Sequence, residues 1–162
     1  MRVFIGLGSN LENPEQQIKT AVNDMGSLSE SKLIACSSLY SSPPMGPQDQ
    51  PDYINAVIEL ETTLLPHVLL DELQSIEQQH GRVRKRHWGE RTLDLDILVY
   101  GDKLLNDERL TVPHPGVAER AFVLYPLAEL AVDLVIPTLG KVEPLLADCP
   151  IGELRKLGAI QL

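Results

Sequence analysis

Apolar and polar positions follow two periods along the chain, and the changes from one to the other predict its elements. Val3 to Leu7 is a short apolar run of the buried-strand kind. From Pro14 the period lengthens, and Ile18, Ala21, Val22 and Met25 share one helical face. Asn13 is placed to cap this helix, Pro14 suits its first position, Gln16 completes a capping box and Gly26 is placed to end it. A strand over Leu33 to Tyr40 comes next. Residues 41–52 then hold four prolines and one glycine with no period, which predicts a stiffened loop. Tyr53 to Thr62 alternates again: Tyr53, Asn55 and Val57 on one face, Ile54, Ala56, Ile58 and Leu60 on the other. A second helix spans Pro66 to His80, with Leu69, Leu73, Ile76 and His80 as its stripe and Gly81 to stop it. His80 reads as a packing or capping residue. Thr92 to Tyr100 is a strand, and Leu104-Leu105 with Leu110 to Val112 a small hairpin. Pro126 opens a helical piece, Leu127 to Ala131. A strand near Leu134 to Ile136 and one or two helical turns at Ile151 to Leu157 complete the pattern.

The order strand, helix, strand, strand, helix, strand is that of a split β-α-β unit. It predicts an α+β, ferredoxin-like two-layer sandwich over one domain, residues 1–162. The sheet is mainly antiparallel, with helices on one face and a C-terminal extension. The outward face of the sheet is left free to carry Asp94, Asp96, Tyr53 and Asn55.

Composition narrows the classes. The chain has 162 residues, 43% of them hydrophobic, enough for one sizeable core. It holds no apolar run of about 18 residues, and the run after Met1 is too short for a signal peptide. Cys36 and Cys149 are far apart and fit reduced cysteines of a cytoplasmic protein. A net charge of −9 opposes broad nucleic-acid or membrane binding, so a local positive stretch stands out. That stretch is Arg82 to Arg91, with Arg82, Arg84, Lys85, Arg86 and Arg91 against the single acid Glu90.

Directly after it, Asp94 and Asp96 point to one side of a strand, while Leu93, Leu95 and Ile97 point to the other. Paired carboxylates repel unless cations lie between them, and magnesium shared with substrate phosphates suits hard oxygen donors with open positions. A half-exposed edge strand with a solvated acidic face is the plainer alternative. Tyr53 and Asn55, beside the proline loop, have the chemistry to stack on and bond to a planar heterocycle. A strand-edge tyrosine and a turn asparagine are the plainer reading. Gly6-Leu7-Gly8-Ser9-Asn10 matches neither the dinucleotide fingerprint nor a P-loop; it reads as a turn needing small residues, with room for close packing under a ligand. Pro113 and Pro115 hold His114 between them.

Taken together, several blocks resemble 6-hydroxymethyl-7,8-dihydropterin pyrophosphokinases of folate biosynthesis. They are Gly8-Ser9-Asn10-Leu11, Ser42 to Pro47, Asp52 to Ala56, Arg82 to Arg84, Trp88-Gly89, Arg91 to Ile97, Leu110 to Pro115 and Glu119 to Leu124. The resemblance covers residues 3 to about 133. It implies transfer of the β,γ-pyrophosphoryl unit of ATP to the pterin hydroxymethyl group, release of AMP, a ferredoxin-like fold and two magnesium ions. Asp94 and Asp96 are then the metal ligands. Arg82 and Arg91 neutralise phosphate charge, and Arg109 and His114 contact the triphosphate. Arg84 and Arg120 lie on loops that close over the nucleotide, with Gln74, Glu77 and Trp88 on its side of the site. Tyr53 and Phe122 sandwich the pterin, Asn55 bonds its edge, and the backbone around Ser42 and Met45 completes the pocket. Ser42 stands where threonine is frequent, Met45 where leucine is, His87 where arginine is and Glu90 where proline is. The last two lie in the catalytic loop. Segment 82–91, with little apolar material besides Val83 and Trp88, is expected to be mobile until triphosphate draws it closed. The partners implied are the pterin and ATP, with no nucleic acid and no membrane, for a monomer. A nucleic-acid-binding or metal-nuclease domain on the same sheet is the rival. It is opposed by the net charge and by an aromatic content of 4%. A silent interaction domain leaves the Asp pair, Pro113-His114-Pro115 and the arginines unexplained.

Overall fold

The computed structural model of the protein describes residues 1–11, 13–44, 49–81 and 93–160. Its strands are β1 (Arg2–Ser9), β2 (Ser31–Cys36), β3 (Ser38–Ser42), β4 (Tyr53–Thr62), β5 (Asp94–Tyr100), β6 (Leu105–Asn106), β7 (Thr111–Val112), β8 (Val135–Ile136), β9 (Gly140–Lys141) and β10 (Arg155–Ala159). The helices are α1 (Pro14–Gly26), α2 (Pro66–Gln79), α3 (Ala121–Ala131) and α4 (Val142–Ala147). The main sheet runs β10-β3-β4-β1-β5, with β2 also on β4, and all its pairs are antiparallel. Among the described residues β5 and β10 end this order, and β2 pairs with β4 alone. β6 and β7 form the expected hairpin, and β8 pairs with β9. Among the described residues no helix is long and apolar enough to cross a membrane.

Strand alternation divides the core in two. Val3, Ile5, Leu7, Ala56, Ile58, Leu60, Leu95 and Ile97 face α1 and α2, where Ile18, Val22, Met25, Leu69, Leu73 and Ile76 bury the stripes read from the sequence. Phe4, Val57, Leu98 and Val99 face the other way and pack with Val123, Leu124 and Leu127 of α3 and Val142 of α4. The two ferredoxin-type helices thus share one face, and the C-terminal extension covers much of the other. Of the four residues expected on the outward face, Asp96 is exposed, Asp94 and Tyr53 are half-buried and Asn55 is buried.

Local expectations needed correction at five places. Asn13 sits at φ 65° and makes no side-chain cap, while the Gln16 amide donates to Thr20 instead of closing a capping box. Gly6 and Gly8 are strand residues of β1, not a turn. The expected strand 33–40 is broken at Ser37. Cys36 pairs with Ile58 and Tyr40 with Asn55, so Ser37, Ser38 and Leu39 oppose only Val57 and Ala56. This is a bulge, and it shifts by one which β3 residues look outward. The Ser37 hydroxyl accepts the Val57 N–H at 2.9 Å, standing in for a ladder carbonyl. Pro126 does not open a helix but lies inside α3, which starts at Ala121. Proline lacks the N–H that would return to Phe122, and burial of Val123, Leu124, Pro126 and Leu127 outweighs that loss. Finally, the helical turns expected at Ile151 to Leu157 are absent: β10 runs there as an edge strand on β3, and the short helix lies earlier, as α4.

Candidate active site

The free end of the outward face is built on three adjacent strands. In β5, Asp94 is half-buried and Asp96 exposed. Across the ladder they oppose Gly8 and Gly6 of β1. The same glycines oppose Asn55 and Val57 of β4 on their other side. Paired residues in an antiparallel ladder share a face, so Gly8 separates Asp94 from Asn55 and Gly6 separates Asp96 from Val57. A Cβ at Gly8 would lie 3.4 Å from Asn55 Oδ1 and 3.8 Å from Tyr53 Cδ1. Gly8 therefore makes a floor that lets a ligand lie close to backbone, whereas a Cβ at Gly6 would meet Leu98 Cδ2 at 3.3 Å, so Leu98 covers that position.

Asn55 is 3% exposed, and its amide donates to Ser42 Oγ at 2.7 Å. Ser42, opposite Tyr53 in the β3–β4 ladder, thus acts here through its hydroxyl and fixes which way the Asn55 amide faces. At the mouth of this wall the Asn10 amide donates to Gln50 Oε1 and to the Pro51 carbonyl, both at 3.0 Å, tying the end of β1 to the proline-rich loop. Polar residues this buried at the end of a β-strand are a signal the alternation pattern alone did not single out.

His114 follows a cis peptide between Val112 and Pro113. Its N–H donates to the Leu98 carbonyl at 2.8 Å, and its Nδ1 accepts the Gly116 N–H at 3.0 Å. Leu98 is the extra residue of a second bulge, between Phe4 and Ile5, so this irregularity anchors the histidine beside the Asp strand. Burial pushes the imidazole below its ordinary pKa. The Asp96 carboxylate opposes that shift and the Arg120 guanidinium adds to it. A neutral ring accepting at Nδ1 carries its proton on Nε2. Arg120 precedes α3, and its guanidinium stands 6.0 Å from the ring of Phe122. Asp96 and Arg120 thus both act on His114, and Phe122 lies beside Arg120.

Gln74 and Arg109 meet on the surface of α2. Arg109 donates to Asp71 Oδ1 at 2.5 Å and to Gln74 Oε1 at 3.3 Å, all on the exposed side of α2. Glu77 is buried instead, and its Oε2 accepts the Leu95 N–H at 2.8 Å from the open edge of β5. It serves to seat the Asp strand on α2. Met45, Arg82, Arg84, Trp88 and Arg91, and the expectation of a closing segment over 82–91, lie outside the described residues.

A family model for 7,8-dihydro-6-hydroxymethylpterin-pyrophosphokinase matches residues 4–132. The chain belongs to that family. A 2-amino-4-hydroxy-6-hydroxymethyldihydropteridine pyrophosphokinase of Haemophilus influenzae is 56% identical over 134 residues, 83% of this chain and 84% of that one. The corresponding Pseudomonas aeruginosa protein is 51% identical over 156 residues, 96% of each. Among solved structures, a Plasmodium falciparum HPPK-DHPS with pterin and p-hydroxybenzoate superposes with a TM-score of 0.72 at 14% identity. It covers 91% of this chain but 42% of the longer one, and at that identity the likeness concerns the fold. The matched residues 4–132 include Gly8, Asp94, Asp96 and Asn55. Among its described residues, no three His, Cys, Asp or Glu side chains gather at metal-binding range. Two carboxylates beside an open floor still fit a hard divalent cation whose other positions go to phosphate oxygens and water.

Proposed function

We propose that this pyrophosphokinase transfers the β,γ-diphosphoryl unit of ATP, intact, to the hydroxymethyl oxygen of 6-hydroxymethyl-7,8-dihydropterin, giving the pterin diphosphate and AMP. The carrying observation is that Asp94 faces Asn55 across Gly8, with Asp96 the next residue on the same face of β5. A flat ring bonded at Asn55 has its substituent directed along that floor toward the carboxylates. Tyr53 and Phe122 clamp the ring faces, Asn55 reads the polar edge, and the backbone near Ser42 and Met45 closes the slot. Asp94 and Asp96 hold two magnesium ions, which when bound orient and neutralise the transferring phosphoryl oxygens. His114 offers a neutral Nε2–H to a phosphate oxygen. Arg82 and Arg91 answer the charge that accumulates in transfer, with the bidentate fork that suits phosphate. Arg84, Trp88, Arg109, Arg120 and Gln74 hold the nucleotide. Glu77 contributes through the strand it seats. The enzyme works as a cytoplasmic monomer of one domain; free Cys36 and Cys149 support a reducing compartment.

Product analysis with ATP and the hydroxymethyldihydropterin tests the reaction. AMP with pterin diphosphate is expected. ADP with pterin monophosphate would overturn the assignment. Asn55→Ala should weaken pterin binding by about 1–3 kcal/mol and leave binding of ATP alone close to the parent value, as read by calorimetry with each ligand.

A further inference from the structure

The bulge at Ser37 leaves a backbone donor, and a side chain from the C-terminal layer takes it. Ser38 N donates to both carboxylate oxygens of Glu129 at 3.1 Å, and Ser38 Oγ donates to one of them at 2.9 Å. Tyr40, 6% exposed, donates its hydroxyl to Glu129 at 2.6 Å. Lys156 of β10 stands 3.9 Å away. The Glu129 side chain is 27% exposed. One carboxylate on α3 thus gathers donors from two successive outward-facing residues of β3, and the strand beyond β3 adds a cation.

This cluster ties together the two elements that carry the walls of the slot, β3 beside Asn55 and α3 with Phe122. Tyr40 is the cross-strand partner of Asn55, and Ser42, one outward position further along β3, holds the Asn55 amide. On α3, Phe122 and Glu129 are seven residues apart, hence on the same stripe of the helix and roughly 10 Å apart along its axis. Sliding or rotating α3 over the sheet would carry Phe122 with it. Apolar packing of Val123, Leu124 and Leu127 resists separation of the layers but tolerates small slides, whereas hydrogen bonds to an ionised carboxylate are short and directional.

We propose that Glu129, with Tyr40 and Ser38, is a positioning residue for the pterin slot: it sets the register of α3 on β3 and so the gap between Phe122 and the Tyr53–Asn55 wall. This rests on the pterin reading above. Glu129 touches no reacting atom; it acts through Phe122 on one side and through β3 on the other.

Calorimetry and steady-state kinetics on the full chain test it, with Glu129→Gln and the milder Tyr40→Phe set beside Asn55→Ala and a core control in the opposite layer, Ile18→Val on α1. Glu129→Gln should raise the Kd and KM for the hydroxymethyldihydropterin by about tenfold, since hydrogen bonds to a charged group are weakened or lost. Tyr40→Phe should raise them by roughly threefold to tenfold. Kd for ATP alone should change less than about twofold in both. Ile18→Val should lower thermal stability without altering pterin affinity, which separates positioning from general loosening. If Asn55→Ala weakens pterin binding while Glu129→Gln and Tyr40→Phe do not, the positioning role is wrong. If the two variants weaken pterin and ATP equally, or only to the extent that Ile18→Val does, the role is again wrong. If Asn55→Ala itself leaves pterin affinity intact, the slot is misplaced and the positioning role falls with it.

Discussion

At the residue scale the site depends on side chains that are missing as much as on those present. Gly8 separates Asp94 from Asn55 in a continuous ladder. Its added Cβ would meet its neighbours at ordinary contact distances, so Gly8→Ala should fold with a melting temperature close to that of the parent. The methyl group would nonetheless occupy the floor, and pterin affinity should fall at least about tenfold, as for an overpacked site. Isothermal titration with the pterin, alongside a melting curve, checks both halves. Asp94→Ala and Asp96→Ala belong to the same scale. Each should lower turnover at saturating magnesium and ATP by about a hundredfold or more, because metal assistance is worth several kcal/mol. Asp96 is exposed, and the fold has little to lose with its carboxylate. Turnover within a few-fold of the parent in both variants would remove them from the metal site.

At the scale of elements, the bulges at Ser37 and at Leu98 are what bring the site together. The first turns Ser38, Tyr40 and Ser42 outward, and the second presents the carbonyl that anchors His114. Glu129 links the first of these to α3, and its ionisation makes the link sensitive to acid. Partial burial favours the neutral carboxyl. The bonds from Tyr40 and Ser38 and the charge of Lys156 outweigh it, so the folded pKa lies below the usual carboxylate range. A depressed folded value stabilises the fold fully above the unfolded carboxyl pKa, about 4.3, and that stabilisation is lost as pH falls through the folded value. Glu129→Gln should therefore be less stable than the parent by about 1–3 kcal/mol at pH 7, and the gap should narrow toward pH 3. Urea unfolding at the two pH values measures it. A gap independent of pH would show that charge on Glu129 does not contribute.

At the scale of the whole molecule, the sheet is covered on both faces, but the family model ends at residue 132. Beyond it, Ile136 and Val142 are fully buried against the layer that holds α3. Deleting residues after Asp133 should cost about 3–6 kcal/mol from these two side chains alone and remove β10 from the edge of β3. Denaturant unfolding of the shortened chain checks this. A midpoint equal to that of the full chain would mean that α3 is held by β3 and β4 without help from the tail.

How far these scales were legible in the sequence depends on the range of the interaction. Period-2 and period-3.6 patterns identify β1, β4, β5, α1 and α2, because each buries one continuous face and the pattern is local. Asp94 and Asp96 sharing a face, and Leu95 and Ile97 turning inward, follow from strand geometry alone. Motif blocks such as Arg91 to Ile97 and Pro113-His114-Pro115 carried the family. The tertiary structure decided what local pattern cannot encode. The β3 register depends on one extra residue at Ser37, whose cost is offset by Val57 on one side and Glu129 on the other. Helix α3 passes through Pro126 because its apolar face is buried on the sheet. Residues near 155 form a strand because β3 offers an open edge, despite a weak pattern of their own. Gly6 and Gly8 read as a turn in the sequence because glycine is common there; only the pairing of Gly8 with Asp94 and Asn55 reveals a floor, and only packing puts Leu98 over Gly6. In each case the deciding partner lies far along the chain, so its free energy is felt only when the layers have met.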